Sequence, residues 1–245
     1  MNSDKVAIVT GGSGGIGSAI VKALGKNGYR PVIVYNNNVD SVIELQKEVK
    51  KSIAIKCDVS SEAEVQSMVK VVLGKMGRID VLVNGASPAI KYSKFLEKDL
   101  KDFISHMNVT YFGAVNCIKS VIAQMIKQKH GNIINILTQN VISSPQPGFS
   151  DYVSAKYALL GLTKCLAVEY AGKNIRVNAV SPGMVETNMI KNLPPKAIEI
   201  TKETTPLGRL ATTNDVANAI IFLISDNASN ITGINLPVCG GTALL

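Results

Sequence analysis

The sequence predicts an α/β fold in which one doubly wound parallel sheet of about seven strands carries helices on both faces. Short β-branched runs alternate with longer amphipathic segments along the whole chain. The short runs are almost continuously apolar, as expected for strands that are covered on both faces. A glycine-rich turn, Thr10 to Gly17, joins the first apolar run to the first helical segment. Sheets of this class bind ligands at the carboxyl ends of their strands.

The strands and helices are predicted from these two periodicities. The predicted strands are Val6 to Thr10, Pro31 to Tyr35, Ile53 to Cys57, Ile79 to Val83, Asn132 to Leu137, Ile175 to Val180 and Ile234 to Val238. The predicted helices are Gly15 to Asn27, Val39 to Lys50, Glu62 to Met76, Leu96 to Lys127, Asp151 to Ala171 and Asn214 to Leu223. No repeat, linker or low-complexity segment interrupts the alternation, so we expect residues 1–245 to form a single domain.

The net charge of +8 comes from 26 basic and 18 acidic residues. The lysines are scattered over helical segments rather than gathered into a stripe, which favours solvated helix faces over a nucleic-acid site. The sequence therefore predicts no nucleic-acid partner.

The four cysteines are Cys57, Cys117, Cys165 and Cys239, and they are far apart in the sequence. Without paired spacing they predict neither a disulfide framework nor a metal site, and they favour a reducing compartment. The first strand begins too early for a signal peptide, and no apolar run is long enough to span a bilayer. We therefore expect a cytoplasmic protein with no membrane partner and no metal.

The glycine-rich turn is typical of a phosphate-binding loop. Its glycines let backbone amides approach a pyrophosphate, and the helix that follows offers free N–H groups and a partial positive charge. A tight turn without a ligand is the alternative. The expected ligand is a nicotinamide dinucleotide, because a proton donor follows much later in the chain.

That proton donor is Tyr152, and Lys156 lies one helical turn after it. Residues at i and i+4 share a helix face, and an ammonium near a phenol favours the phenolate and lowers its pKa. Tyr152 is therefore predicted to act as the general acid in carbonyl reduction and as the base in the reverse direction. An ordinary surface pair is the alternative.

The residues that follow the second predicted strand are Asn36, Asn37 and Asn38. An acidic residue there would bind the ribose 2′-hydroxyl of NAD, and an arginine would accept the 2′-phosphate of NADP. The missing carboxylate removes a repulsion against phosphate, so the sequence favours NADP over NAD. The alternative is that the asparagines only form a turn.

Several motifs in order resemble the short-chain dehydrogenase/reductase family, whose fold is Rossmann-like. The resemblance covers essentially the whole chain and is closest to 3-oxoacyl-[acyl-carrier-protein] reductases. It rests on Thr10 to Gly17, Asn84 to Ser87, Gly131 to Ile136, Tyr152 to Lys156, Val177 to Gly183, Pro206 to Arg209 and Ile231 to Gly233. Gly85 and Ser87 depart from the family's Asn-Asn-Ala-Gly element.

The resemblance implies four catalytic residues. Tyr152 would be the acid, Lys156 would activate it and hold the nicotinamide ribose, and Asn108 would support a water that links the lysine to solvent. The family's serine falls on Thr138, whose hydroxyl can donate the same hydrogen bond. Ser143 and Ser144 are alternatives, because the spacing to Tyr152 is one residue longer than usual.

The resemblance also implies a set of cofactor-binding residues, with the first half of the chain holding the cofactor and the second half the catalytic groups. These residues are Gly11, Ser13, Gly15, Ile16, Gly17, Asn36, Asp58, Val59, Asn84, Gly85, Ala86, Tyr152, Lys156, Pro182, Gly183, Val185 and Thr187. Asp58 has an alternative role as a cap of the helix that starts near Ser61.

Two further features stay open. The stretch from Met184 to Thr205 is either a lid over the substrate or a static surface helix. His106 and His130 have no metal-ligand spacing, and His130 is expected to balance a helix dipole. A catalytic role is not expected for either histidine.

The implied reaction is NADP-dependent reduction of a 3-oxoacyl thioester carried by an acidic carrier protein. Lys129 and Lys173 fall where the resembling reductases place basic residues for carrier docking, and we expect them beside the pocket. Oxidation or reduction of another small alcohol, ketone or polyketide intermediate is the alternative, as is a non-catalytic nucleotide-binding subunit. The family's habit of pairing through its long helices implies a homodimer or homotetramer.

Overall fold

The computed structural model describes residues 4–187 and 195–244. Seven parallel strands form one sheet in the order β3-β2-β1-β4-β5-β6-β7, which confirms the predicted fold class. The strands are β1 Lys5–Thr10, β2 Tyr29–Tyr35, β3 Ile53–Lys56, β4 Val81–Asn84, β5 Gly131–Ile136, β6 Ile175–Pro182 and β7 Asn235–Val238.

Helices cover both faces of the sheet. They are α1 Gly15–Lys26, α2 Val39–Glu48, α3 Glu62–Met76, α4 Leu100–His106, α5 Gly113–Gln128, α6 Ser150–Ala171, α7 Pro195–Thr204 and α8 Thr213–Ile224. Apolar residues of α1, α2 and α8 form the core on one face, and those of α3, α5 and α6 form the core on the other. Buried surface on both faces explains why the strands are apolar throughout.

The chain order reverses at β1, which pairs with β2 on one side and with β4 on the other. Thr10 and Asn84 end these strands and are register partners. The glycine-rich turn and the segment after β4 therefore meet at one point of the carboxyl edge, which is where open α/β sheets bind ligands.

The single helix predicted from Leu96 to Lys127 is wrong in detail. A short 3₁₀ turn, Phe95–Glu97, precedes α4, and a π-helical turn, Met107–Phe112, separates α4 from α5. Within the π turn the Gly113 N–H donates to the Asn108 carbonyl, five residues earlier. Such a turn inserts one extra residue, and this shift is too small to appear in the apolar periodicity.

The expectation about membrane spans also needs a correction. The continuous helical stretch Leu100–Gln128 is long and apolar enough to cross a membrane by length and composition, with a mean hydropathy of 1.3. Core helices of globular proteins pass the same test. Within α5, Cys117, Val121 and Met125 are fully buried in the core beneath the sheet.

The segment between β6 and α8 contains the helix α7, which the periodicity did not predict. The described part of the Met184 to Thr205 stretch is thus partly helical, and residues 188–194 of it lie outside the described residues. Pro195 suits the first helical position because proline lacks the N–H that would be unpaired there. Closure over a substrate stays a prediction.

Candidate active site

The glycine-rich turn is closed by direct contacts between backbone atoms. Gly11 has a φ of +66°, which a side chain would strain, and a Cβ on it would lie 2.8 Å from the Gly85 carbonyl oxygen. A Cβ on Gly17 would lie 2.1 Å from the Gly11 oxygen. Glycine is therefore required at both positions for the turn to fold back on α1.

The N-terminus of α1 has the features of an anion site. Gly14 caps the helix without a side-chain hydrogen bond, and the first turn carries no acidic residue. Thr187 approaches this end, because a Cβ on Gly15 would lie 2.8 Å from the Thr187 methyl carbon. The structure thus places Thr187 next to Gly15 at the start of α1.

The segment after β4 is tied to the glycine-rich turn through Thr10. The buried Thr10 hydroxyl accepts hydrogen bonds from the N–H groups of Gly85 and Ala86, at 3.0 and 3.2 Å. The Asn84 Nδ2 donates to Asn135 at 2.9 Å, whereas the Asn84 Oδ1 is buried without a partner among the described residues. An unpaired buried acceptor indicates a ligand or water at this edge of the sheet.

The predicted adenosine end lies beside β2 and β3. Asn36 is exposed at the end of β2. Asp58 accepts hydrogen bonds from the Ser60 N–H and hydroxyl at 2.9 and 2.7 Å. The side chain that caps α3 belongs to Ser61, so Asp58 does not take the alternative role of helix cap. Val59 is buried.

The segment after β6 runs alongside the C-terminal part of the chain. The Gly183 N–H donates to the Val238 carbonyl at 3.0 Å, and a Cβ on Gly183 would lie 3.1 Å from the Cys239 Cα. Val185 is buried and bridges to Ala211. Pro182, Gly183 and Val185 are therefore held at the same edge of the sheet as the glycine-rich turn.

The predicted catalytic residues meet at the start of α6. Thr138 follows β5, is buried, and lies next to Tyr152, whose pKa it acts to lower. The Lys156 Nζ donates to the Ile136 carbonyl at 2.6 Å and lies 5.6 Å from the centre of the Tyr152 ring. Ser143 instead donates to the Gln139 carbonyl, and Ser144 is exposed. The geometry thus favours Thr138 over both serine alternatives.

The pKa values of this pair differ from the sequence expectation. Burial raises the pKa of Tyr152 to about 12, and the hydrogen bond with Thr138 acts in the lowering direction. Burial also lowers the pKa of Lys156 to about 8. The expectation that Lys156 lowers the pKa of Tyr152 is not met here, since the ammonium binds the Ile136 carbonyl and desolvation dominates.

Asn108 lies in the π turn and is exposed. Its backbone carbonyl accepts the hydrogen bond that defines that turn. The π turn packs against α6. The role of Asn108 in supporting a water stays a prediction.

Sequence reasoning missed three residues next to Tyr152. His106 packs its ring against the Tyr152 ring, and Asp151 pairs with the buried Lys98. No motif links these residues, which are separated by up to 53 positions in the chain. In the sequence, the one available signal was an aspartate immediately before the predicted acid.

His130 follows the C-terminal cap of α5, as predicted, but its role differs. Burial lowers the pKa of His130, so the protonated form that a helix dipole would favour is disfavoured.

The two predicted docking lysines do not lie beside the pocket of their own chain. Lys129 caps the C-terminus of α5, two residues before β5, and Lys173 follows the end of α6. Tyr152 lies at the opposite end of α6, which at 22 residues is roughly 33 Å long. The expectation that these lysines flank the same chain's active site is wrong.

The residues present fit a nicotinamide dinucleotide. The uncapped N-terminus of α1 would hold its diphosphate, and the glycines provide the close backbone approach that this needs. The unpaired Asn84 oxygen and the Tyr152–Lys156 pair lie further along the same edge of the sheet, where the nicotinamide end would bind.

A family model described as enoyl-(acyl carrier protein) reductase matches residues 11–243. With the site geometry this decides the family. The chain belongs to the short-chain dehydrogenase/reductase family. This short-chain dehydrogenase/reductase is thus an oxidoreductase that acts on alcohol or carbonyl groups with a nicotinamide dinucleotide.

Three similar proteins have names that state an activity. A 3-oxoacyl-[acyl-carrier-protein] reductase of Staphylococcus epidermidis is 36% identical over 242 residues, which covers 97% of this chain and 98% of the relative. A 3alpha-hydroxysteroid dehydrogenase of Mediterraneibacter gnavus is 37% identical over 248 residues, covering 98% and 97%. The crystal structure of a 3-ketoacyl-(acyl-carrier-protein) reductase from Brucella melitensis, complexed with NADH, has a TM-score of 0.92 at 30% identity and covers 98% of both chains.

Proposed function

We propose that this protein reduces a 3-oxoacyl thioester, carried by an acyl-carrier protein, to the 3-hydroxyacyl thioester with NADPH. The observation that carries the proposal is the position of the Thr138 side chain next to Tyr152, with the buried Lys156 Nζ 5.6 Å from the centre of the Tyr152 ring. In the proposal, the hydroxyl groups of both residues meet one substrate carbonyl oxygen. The similarity to 3-oxoacyl-[acyl-carrier-protein] reductases supports the choice of substrate.

The chemistry follows from these groups. A bound reduced nicotinamide supplies the hydride for the carbonyl carbon. Tyr152 donates its phenolic proton to the carbonyl oxygen as negative charge develops there, and the Thr138 hydroxyl donates a hydrogen bond to the same oxygen. The phenol carries its proton at neutral pH, as a proton donor must, and burial that raises its pKa to about 12 makes it a weaker acid than a free tyrosine.

Lys156 and Asn108 complete this catalytic set in the proposal. Lys156 holds the nicotinamide ribose and stabilises the phenolate after proton transfer. Asn108 supports the water through which the proton is restored. The cofactor is held by the predicted set at the carboxyl edge, from Gly11 to Gly17 through Thr187.

NADPH is proposed over NADH because Asn36 stands where a carboxylate would repel the 2′-phosphate. The NADH in the similar Brucella structure supports a nicotinamide dinucleotide in general, and NAD is the alternative. The proposal includes a homodimer or homotetramer in the cytoplasm. Four free cysteines agree with a reducing compartment.

A second candidate is oxidation or reduction of a hydroxysteroid or another small alcohol or ketone. The similarity to a 3alpha-hydroxysteroid dehydrogenase favours it, and it equals the similarity to the thioester reductases in identity and coverage. The proximity of Thr138, Tyr152 and Lys156 argues against the remaining alternative, a subunit without catalytic activity.

A substrate panel separates these candidates. We would measure initial rates with NADPH and with NADH against carrier-bound acetoacetyl thioester, the free thioester and a 3-oxosteroid. The proposal predicts the highest kcat/KM for the carrier-bound thioester with NADPH. A higher kcat/KM for the steroid would overturn the proposed thioester substrate. A preference for NADH would overturn the proposed cofactor.

A further inference from the structure

A buried ion pair lies directly beside the proposed catalytic tyrosine. The Lys98 Nζ is 2.9 Å from the Asp151 Oδ1, and the two side chains are only 2% and 4% exposed. The same Asp151 oxygen accepts the Tyr152 backbone N–H at 2.9 Å. The carboxylate thus fixes the backbone of the tyrosine at the first turn of α6.

The third member of the cluster is His106, at the end of α4. Its Nε2 lies 3.8 Å from the Asp151 Oδ2, and its ring meets the Tyr152 ring edge-on, with centroids 5.8 Å apart and planes at 71°. Aromatic pairs prefer this arrangement. Asp151 and His106 therefore hold the tyrosine from two sides, one through the backbone and one through the ring.

Lys98 belongs to the segment 87–98, which begins just after the Gly85–Ala86 element of the cofactor site. This segment makes two more contacts with the chain before α6. The Tyr92 ring packs edge-on against Phe149 at 5.9 Å, and the Ser93 N–H donates to the Gly148 carbonyl at 3.3 Å. The ion pair is thus the inner end of a contact between this segment and the start of the catalytic helix.

A buried ion pair is a weak source of stability, because desolvation offsets the attraction. What it supplies is a fixed geometry, since a displaced partner would leave a buried charge unpaired. Rates of proton transfer depend strongly on such geometry, and a misplacement of 1 Å can cost about 100-fold.

We propose that Lys98, Asp151 and His106 form a positioning cluster that holds Tyr152 for proton transfer and links it to the segment 87–98. This inference rests on the proposed role of Tyr152 as the acid. Lys98, Asp151 and His106 act on the reaction through Tyr152 and are positioning residues.

The charge state of the cluster gives a direct test. Burial lowers the pKa of His106, Lys98 and Lys156 act in the same direction, and Asp151 and Asp102 oppose them. Burial alone would raise the pKa of Asp151, but the hydrogen bonds from Lys98 and the Tyr152 N–H reverse this and lower it. Removing the charge of Lys98 should therefore raise the pKa of His106, because the carboxylate then turns to the imidazole.

The first measurement is an NMR titration of the histidines in the whole protein. The chain contains only two histidines, so His130 serves as an internal reference. In Lys98→Met the His106 pKa should rise while the His130 pKa stays constant. The matched control is Lys101→Met, since Lys101 pairs with Asp99 on the surface of the same region. An unchanged His106 pKa in folded Lys98→Met would overturn the cluster.

The second measurement separates positioning from folding. Lys98→Met and Asp151→Asn should lower kcat by ~10-fold to 100-fold while the Kd of NADPH, measured by fluorescence, changes less than about twofold. The double variant removes both charges and leaves none unpaired, so it keeps the test valid if a single variant does not fold. A kcat equal to that of the parent in the folded variants would refute the positioning role.

Tyr152→Phe distinguishes failure of the proposed function from failure of the positioning cluster. If it keeps full activity, the proposed function itself fails. If it loses activity but the cluster variants keep the parent kcat and His106 pKa, only the cluster inference fails.

Discussion

At the scale of single residues, Thr138 stands where the resembling family has a serine. Its side chain lies next to Tyr152, and its hydroxyl accepts the Asn140 N–H at 3.4 Å. The extra methyl group restricts the rotamer and leaves the hydroxyl function intact. Threonine is therefore compatible with the same chemistry.

Substitution of Thr138 tests whether its hydroxyl takes the role of the family's serine. Thr138→Ala should lower kcat roughly 100-fold, because one hydrogen bond to the developing oxyanion is lost. Thr138→Ser should keep most of the activity. The control is Ser143→Ala, which removes a hydroxyl that only binds the Gln139 carbonyl. Steady-state rates with the best substrate measure all three, and a larger loss in Ser143→Ala than in Thr138→Ala would reverse the assignment.

Lys156 makes a testable contribution to stability as a function of pH. Its pKa falls from 10.5 to about 8 in the folded chain, which corresponds to a penalty on the order of 3 kcal/mol for the buried charge. Between about pH 8 and 10.5 the unfolded chain binds more protons at this site, so its contribution to the free energy of unfolding rises with pH.

Lys156→Met should therefore abolish turnover and yet raise the Tm of the cofactor-free protein at pH 7. The difference in Tm between variant and parent should shrink as the pH rises from about 8 towards 10.5. Thermal denaturation at several pH values measures it. A Tm that falls in the variant at pH 7 would show that the hydrogen bond to the Ile136 carbonyl outweighs the desolvation of the ammonium.

At the scale of elements, the seven strands were predictable because they are largely apolar, and burial on both faces accounts for this in the inner strands, whereas the edge strands β3 and β7 are only partly buried. The π turn at Met107–Phe112 was not, since one inserted residue hardly changes the periodicity. The cluster of Lys98, His106 and Asp151 was not predictable either, because only the packing of α4 and the segment 87–98 on α6 brings these residues together. By contrast, Tyr152 and Lys156 share one helical turn and were visible in the sequence.

The glycine-rich turn provides a prediction at this scale. Gly17→Ala should destabilise the protein by about 1–3 kcal/mol and weaken NADPH binding, because the new Cβ collides with the Gly11 carbonyl. Gly74→Ala, in α3, is the control: a Cβ there meets nothing within 4 Å and should stabilise the helix by about 0.5–1 kcal/mol. Chemical denaturation and cofactor titration measure both. Equal changes of stability and of NADPH affinity in the two variants would contradict the close approach of Gly17 to the Gly11 carbonyl.

At the scale of the whole molecule, α6 carries both buried and exposed apolar residues, and the sequence alone could not distinguish them. Ala155 and Leu159 are buried in the chain's own core, whereas Val168 is 83% exposed. Tyr157, Gly161, Lys164 and Val168 share the exposed side of α6. Two large apolar side chains with a glycine between them give this side a surface that suits contact with a second copy.

Val168→Asp should therefore shift the proposed dimer or tetramer towards smaller species. Light scattering during gel filtration measures the mass. Ile43→Asp is the control, since Ile43 is 47% exposed on α2, at the other face of the sheet. An unchanged mass in Val168→Asp would place the subunit contact elsewhere.

That residues 1–245 form one domain stays a prediction.

The C-terminal segment packs on its own chain. Ala243 is buried, and the Thr242 hydroxyl donates to the Gln139 side chain at 2.5 Å. The end of the chain thus supports the segment that follows Thr138. Leu244 is exposed.

The central claim is that Tyr152 donates the proton in a carbonyl reduction that consumes NADPH. The most direct measurement compares the parent and Tyr152→Phe in NADPH oxidation with carrier-bound acetoacetyl thioester, together with the Kd of NADPH. We predict turnover by the parent, and in Tyr152→Phe a kcat lower by roughly 1,000-fold with an unchanged Kd. Turnover by Tyr152→Phe at the rate of the parent would contradict the account.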